Sequence, residues 1–221
     1  MKLGFIFDLD GVIVNTAKYH FQAWQRLANT LGFEFTEKDN EKLKGISRME
    51  SLDILLAIGG ITLSNREKQE LADRKNLWYL ELIDQLTPAD ILPGANSLLT
   101  EAISLGFRTA LGSASKNAQR ILDRLAIKDQ FTVIVDGTMV EHAKPNPEVF
   151  LLAAKKMELS TSKCLVFEDA EAGIVAAKNA GMLAIGIGSK ENLKRADKII
   201  VGLNEITIEQ AAEMIAGPLA Y

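Results

Sequence analysis

The sequence predicts an α/β fold: a doubly wound parallel sheet with an all-helical unit inserted after its first strand. Three observations predict it. From about residue 90 onward, short apolar runs alternate with helical patterns, the order that a chain of βαβ units requires. Several of those runs are apolar on both faces, as parallel strands covered by helices on either side must be. Between Thr16 and Leu86, by contrast, helix-start signals recur without a convincing strand.

The first strand is expected at Leu3–Phe7, a short apolar run that ends on Asp8. The insert opens with Ala17, Phe21, Trp24, Ala28 and Leu31, whose spacing of three to four residues is the stripe of an amphipathic helix. Ser47 to Glu50 and Ser64 to Glu67 each fit the capping box, in which a hydroxyl and a carboxylate cover free backbone donors reciprocally. The chain returns to the sheet near Thr87-Pro88, so the expected units are a core of residues 1–15 and 88–221 and a helical cap of residues 16–87. Further strands are expected at Arg108–Gly112, Thr132–Val135, Cys164–Phe167, Leu183–Ile187 and Lys198–Val201, where β-branched and aromatic runs are bounded by turn residues. Helical patterns lie between and after them at Ala95–Leu105, Lys116–Leu125, Glu148–Met157, Ala170–Ala180 and Ile208–Ile215.

Composition narrows the function. Apolar residues make up 48% of the 221 and charged residues 24%, the balance of a globular protein. A net charge of −4 argues against nucleic-acid binding, which rests on a surplus of Lys and Arg. No apolar run reaches the ~18 residues of a membrane span, and Leu3 to Phe7 runs straight into Asp8 and Asp10, unlike a secretory signal. Cys164 is the one cysteine, which excludes an intrachain disulfide and a cysteine-rich zinc site. A cytoplasmic enzyme is expected.

Ligands of open α/β sheets sit outside the carboxyl ends of the strands, and the suggestive residues fall there. Strand one ends in Asp8-Leu9-Asp10-Gly11, and strand two in the hydroxyl-rich turn Ser113-Ala114-Ser115-Lys116-Asn117. Lys144-Pro145 follows strand three, and strand four ends in Glu168-Asp169. Carboxylates crowded at one sheet edge repel by ~4 kcal/mol per pair at ~4 Å and an effective dielectric near 20. A divalent cation removes that penalty, and an all-oxygen set without His or Cys favours a hard ion such as Mg²⁺, shared with a substrate phosphate. Lys144 adds positive charge, while Ser113 and the amides of its turn can hold phosphate oxygens. Asp8 is then suited to attack phosphorus, and Asp10, when protonated, to protonate a departing sugar oxygen.

This ordered set, Asp8-x-Asp10-Gly11, Ser113, Lys144 and Glu168-Asp169, resembles the haloacid dehalogenase superfamily of phosphotransferases over the whole chain. The insert resembles the cap of its β-phosphoglucomutase group. The resemblance implies a phosphoaspartate at Asp8, acid–base chemistry at Asp10, and Mg²⁺ held by Asp8, the backbone carbonyl of Asp10, Glu168 and Asp169. It also implies that Thr16, His20, Trp24, Lys44, Gly45, Ile46, Ser47, Arg48, Ser51, Lys75 and Asn76 read a sugar phosphate from the cap and its hinge. By the same resemblance, Ser113, Ala114, Ser115, Lys116, Asn117 and Lys144 are expected to hold phosphate from the core. The implied reaction converts β-D-glucose 1-phosphate to glucose 6-phosphate through β-D-glucose 1,6-bisphosphate, with Arg48, Lys116 and Asn117 gripping the distal phosphate. Asn15 departs from the superfamily, which often has Asp there, and is expected to alter hinge contacts only. A phosphatase using the same Asp8 chemistry with water as acceptor, and a silent sugar-phosphate-binding protein, are the alternatives. A monomer is expected, because a closing cap shields the site without a partner.

Each residue also has a plainer reading. Glu168-Asp169 can cap the following helix, and Lys144-Pro145 can be a turn with a solvated lysine. Taken alone, Trp24 reads as packing, His20 as a surface histidine, Lys75 and Asn76 as a solvated helix face, and Arg48 as an exposed neighbour of a capping serine. His142 reads as structural and Cys164 as a small core residue.

Overall fold

The computed structural model describes residues 2–217, so Met1 and residues 218–221 at the edges of the expected core unit lie outside the described residues. Six parallel strands form one sheet: β1 (Gly4–Phe7), β2 (Arg108–Gly112), β3 (Val133–Val135), β4 (Cys164–Glu168), β5 (Leu183–Ile187) and β6 (Lys198–Ile200). Their spatial order is β3-β2-β1-β4-β5-β6. All six expected strands are present, with ends moved by a residue at most. β1 lies at the centre, where the strand order reverses. Such a switch point opens a crevice at the carboxyl ends of the strands.

Alternation along β1 divides the core. Phe5 and Phe7 point into an apolar cluster that Leu98, Leu99, Ile121, Leu122 and Ala211 share from helices α5 (Ala95–Ser104), α6 (Ala118–Leu125) and α9 (Ile208–Ala216). Ile6 points the other way, into a cluster with Val149, Phe150, Ile174 and Ala177 of α7 (Glu148–Lys156) and α8 (Glu171–Asn179). Side chains of a strand alternate between its two faces, so a four-residue strand buried on both serves two layers at once. Register fixes the strand ends: Phe7 pairs with Leu111 of β2 and Phe167 of β4, and its ring stacks on Phe167 at 4.8 Å. Asp8 therefore emerges level with the end of β2 and with Glu168.

The insert holds four helices, α1 (Ala17–Thr30), α2 (Glu37–Asn40), α3 (Arg48–Ile58) and α4 (Asn65–Ile83). Both expected capping boxes form, Ser47 with Glu50 on α3 and Ser64 with Glu67 on α4. A third, Thr36 with Asp39, starts α2. Trp24, Leu27, Phe35, Leu52, Leu55 and Ala72 make an apolar cluster of their own, whereas Ala23, Tyr79, Ile83 and Leu86 pack into the main core. The buried face of α1 is Ala23, Trp24, Leu27 and Ala28, so the expected stripe is corrected: Phe21 and Leu31 lie at its edge, and Ala17 faces the cavity described below.

Two further helix expectations need correction. α6 begins at Ala118 rather than Lys116, because the Ser113 and Ser115 hydroxyls accept the N–H groups of Ser115 and Asn117 and hold them in a turn. α8 has Ala170 at its N-cap with no side-chain cap, so Glu168-Asp169 do not cap that helix; Glu168 Oε1 accepts only the Ala170 N–H.

Candidate active site

A cavity of about 310 Å³ opens between the strand ends and the helical insert, lined from below by Asp8, Asp10, Ser113 and Asp169. Asp8, Ser113, Lys144 and Glu168 are all buried, at 4%, 1%, 1% and 0% exposure. Buried charges persist only when paired, and here Lys144 Nζ donates to Asp8 Oδ1 at 2.6 Å and to Glu168 Oε2 at 2.8 Å. The plain reading of Lys144 as a solvated turn residue is thereby corrected. Lys144 precedes Pro145 through a cis peptide bond and stands behind Asp8 rather than on the cavity wall.

Glycines make room for the acids. At Gly11, with φ of +79°, a Cβ would collide with the Asp169 carboxylate, and at Gly173 it would collide with that of Glu168. Asp8, Glu168 and Asp169 each place a carboxylate oxygen within 4.8 Å of the others. Crowding and burial show in their proton affinity. Burial, then the Asp8 charge, pushes the carboxyl of Glu168 up to about 8 and that of Asp169 up to about 7. This hard, all-oxygen donor set, left short of positive charge, fits Mg²⁺. The Asp10 carboxylate stands outside the set, which leaves its backbone carbonyl as the implied ligand.

Asp10 differs from its neighbours. Its Oδ1 is buried without a hydrogen-bond partner. Burial, reinforced by the Asp8 charge and opposed by Lys144, pushes its carboxyl up to about 7. A carboxyl so placed is near half-protonation at neutral pH, as a group that both gives and takes a proton requires.

The insert supplies the opposite sign. Lys75 is 2% exposed, its Nζ lying 2.9 Å from His20 Nδ1, 4.4 Å from the Trp24 ring centroid and 4.8 Å from that of Tyr79. Burial, with Arg48 nearby, pulls Lys75 well below the usual lysine range; burial, with Lys75 and Arg48, pulls His20 down likewise. His20, Trp24, Arg48, Lys75 and Asn76 line the cavity with Lys116 and Asn117, so the solvated readings of His20, Lys75 and Arg48 are corrected. Asn117 donates to Asn76 Oδ1 at 2.9 Å, joining α4 to the turn after β2.

Of the remaining expected residues, Lys44, Gly45, Ile46, Ser47, Ser51, Ala114 and Ser115 line the cavity. Thr16 is 0% exposed and stands behind the wall, so direct contact with a sugar is corrected to a supporting position. Asn15 is exposed. His142 pairs with Glu148, Nδ1 to Oε2 at 3.2 Å, and the Cys164 thiol is buried and pushed up to about 11. Asn40, Leu43, Met49, Gln69, Gly137, Val140, Glu141 and Ala143 also line the cavity and were not anticipated; no local motif marks them.

A parallel sheet with Asp8 at its switch point, a lysine-bridged acidic cluster and an overhanging helical insert define a class. Residues 3–181 match the family model for haloacid dehalogenase-like hydrolases, and the chain belongs to that family. Within it, the chain is 47% identical to the β-phosphoglucomutase of Bacillus subtilis, over 92% of this chain and 91% of that protein. It superposes on the crystal structure of β-phosphoglucomutase from Clostridium difficile with a TM-score of 0.94 and 44% identity, covering 98% of each chain. It is also 32% identical to a phosphorylated carbohydrates phosphatase of Thermotoga maritima, over 80% of this chain and 81% of that one.

Proposed function

We propose that the protein is a β-phosphoglucomutase, interconverting β-D-glucose 1-phosphate and D-glucose 6-phosphate through β-D-glucose 1,6-bisphosphate. The observation that supports this reading is that Arg48, Lys116 and Asn117 line the same cavity as Asp8, which provides groups for a second phosphate. A phosphatase needs only the Asp8 end.

Lys144 occupies Oδ1 of Asp8 and leaves Oδ2 for attack on phosphorus. The new O–P bond forms as the bond to the sugar oxygen breaks, and Asp10 gives that oxygen a proton. In the return step Asp10 takes the proton from the incoming hydroxyl while the phosphoaspartate bond breaks. The Ser113 hydroxyl and the turn's amides at Ala114 and Lys116 hold the transferring phosphoryl oxygens, as Lys144 balances charge at the nucleophile. Mg²⁺ bound by Asp8, the Asp10 carbonyl, Glu168 and Asp169 would neutralise phosphate charge. Residues 16–87 act as the cap over a core of residues 1–15 and 88–221, keeping water from the phosphoaspartate. His20, Trp24, Lys44 to Arg48, Ser51, Lys75 and Asn76 position the sugar phosphate, with Thr16 supporting the wall from behind. Among the described residues no helix is long and apolar enough to cross a membrane. We take the enzyme to be cytoplasmic and monomeric.

The likeness to a phosphatase of phosphorylated carbohydrates supports hydrolysis as a second reading. One assay separates them. With β-glucose 1-phosphate, Mg²⁺ and a trace of the 1,6-bisphosphate, a mutase forms glucose 6-phosphate with little free phosphate. Phosphate release without glucose 6-phosphate would make the protein a phosphatase.

A further inference from the structure

Asn40 is a buried amide that the roles above leave unused. It ends α2, is 8% exposed, and lines the cavity that holds Asp8 and Arg48. Its carboxamide does not cap the short 3₁₀ turn that follows it, and it has no side-chain hydrogen bond to any described residue. An amide carries two N–H donors and a carbonyl acceptor, and at the cavity wall these are left for a ligand to engage. Of the neutral groups on the wall, Asn76 is engaged with Asn117, and Ser47 with the amide of Glu50. The charged groups Arg48 and Lys116 match phosphate. A neutral amide, donor and acceptor together, matches a hydroxyl.

We infer that Asn40 binds a ring hydroxyl of the sugar phosphate and so helps set which sugar the cavity accepts. This rests on the sugar-phosphate reading above. A site built to hydrogen-bond a hydroxyl rejects the analogue lacking it, because the protein's own polar group is then stranded.

The test compares the parent with Asn40→Ala on β-glucose 1-phosphate and its 2-deoxy, 3-deoxy and 4-deoxy analogues. The variant is expected to lose about 5- to 150-fold in kcat/KM on the parent sugar. It should lose less than about threefold on one of the analogues, whose missing hydroxyl is the one Asn40 holds. An equal loss on all four substrates, or no loss on any, overturns the inference. Asn40→Ser keeps a small polar group and runs in parallel, so a poorly folded alanine variant does not end the test. Glucose 6-phosphate formation by the parent reports separately on the mutase reading. If the parent only hydrolyses its substrates, the same ratios are taken from phosphate release. If it turns over none of them, calorimetric affinities for the four compounds decide, and no binding at all overturns the inference with the reading.

Discussion

One ammonium group, Lys144 Nζ, joins Asp8 Oδ1 at 2.6 Å to Glu168 Oε2 at 2.8 Å. Removing it as Lys144→Met would leave two buried carboxylates facing each other. Breaking a buried pair in this way costs about 3–5 kcal/mol. Urea unfolding at about pH 8 should show that loss. A smaller loss is expected at about pH 6, where Glu168, already poised to protonate, sheds its charge. Equal losses at both pH values would show that the lysine is packing rather than charge compensation.

Asp10→Ala is expected to lower turnover by ~10²–10⁴, the range for general acid–base catalysis. Labelling of Asp8 by acetyl phosphate should survive, because an acetate leaving group needs no proton. Loss of both would place Asp10 in the architecture of the site rather than in proton transfer.

Proton linkage should make the magnesium-free protein weaken as pH rises. Asp10, Glu168 and Asp169 have ordinary values of 3.8, 4.5 and 3.8 and folded values of about 7, 8 and 7. The folded chain thus holds protons that the unfolded chain has released. That stabilisation is complete below the unfolded values and is lost as pH climbs through about 7 to 8. Calorimetric scans across this window should show Tm falling without Mg²⁺ and a flatter profile with it. A Mg²⁺-induced gain in Tm that does not change with pH would count against the acidic cluster as the binding site.

Arg48→Ala should weaken the distal phosphate grip by about 10- to 100-fold in kcat/KM, the value of one or two charge-assisted hydrogen bonds. The ratio of free phosphate to glucose 6-phosphate should rise, since a loosely held bisphosphate leaves the phosphoaspartate open to water. An unchanged ratio would remove Arg48 from that role.

The sheet was legible because its strands are buried on both faces. Arg108–Gly112 and Leu183–Ile187 match the expected strands residue for residue. The acidic cluster was legible too, because each of its acids ends a strand or follows one directly. What stayed hidden depends on contacts between distant segments. His20 and Lys75 are 55 residues apart, and nothing local marks them as a pair. Asn40 sits in a polar stretch that no local motif marks. The start of α6 was misplaced because the serine hydroxyls compete for backbone donors that helical propensity would otherwise claim.

The apolar cluster around Trp24, Phe35 and Leu55 is separate from the two that flank the sheet. Tolerance to mutation is therefore partitioned. Substitutions within that cluster can reshape the roof over the sugar while the floor keeps its carboxylates and lysine in register. Selection on substrate preference and selection on phosphorus chemistry can proceed on different residues of one small protein.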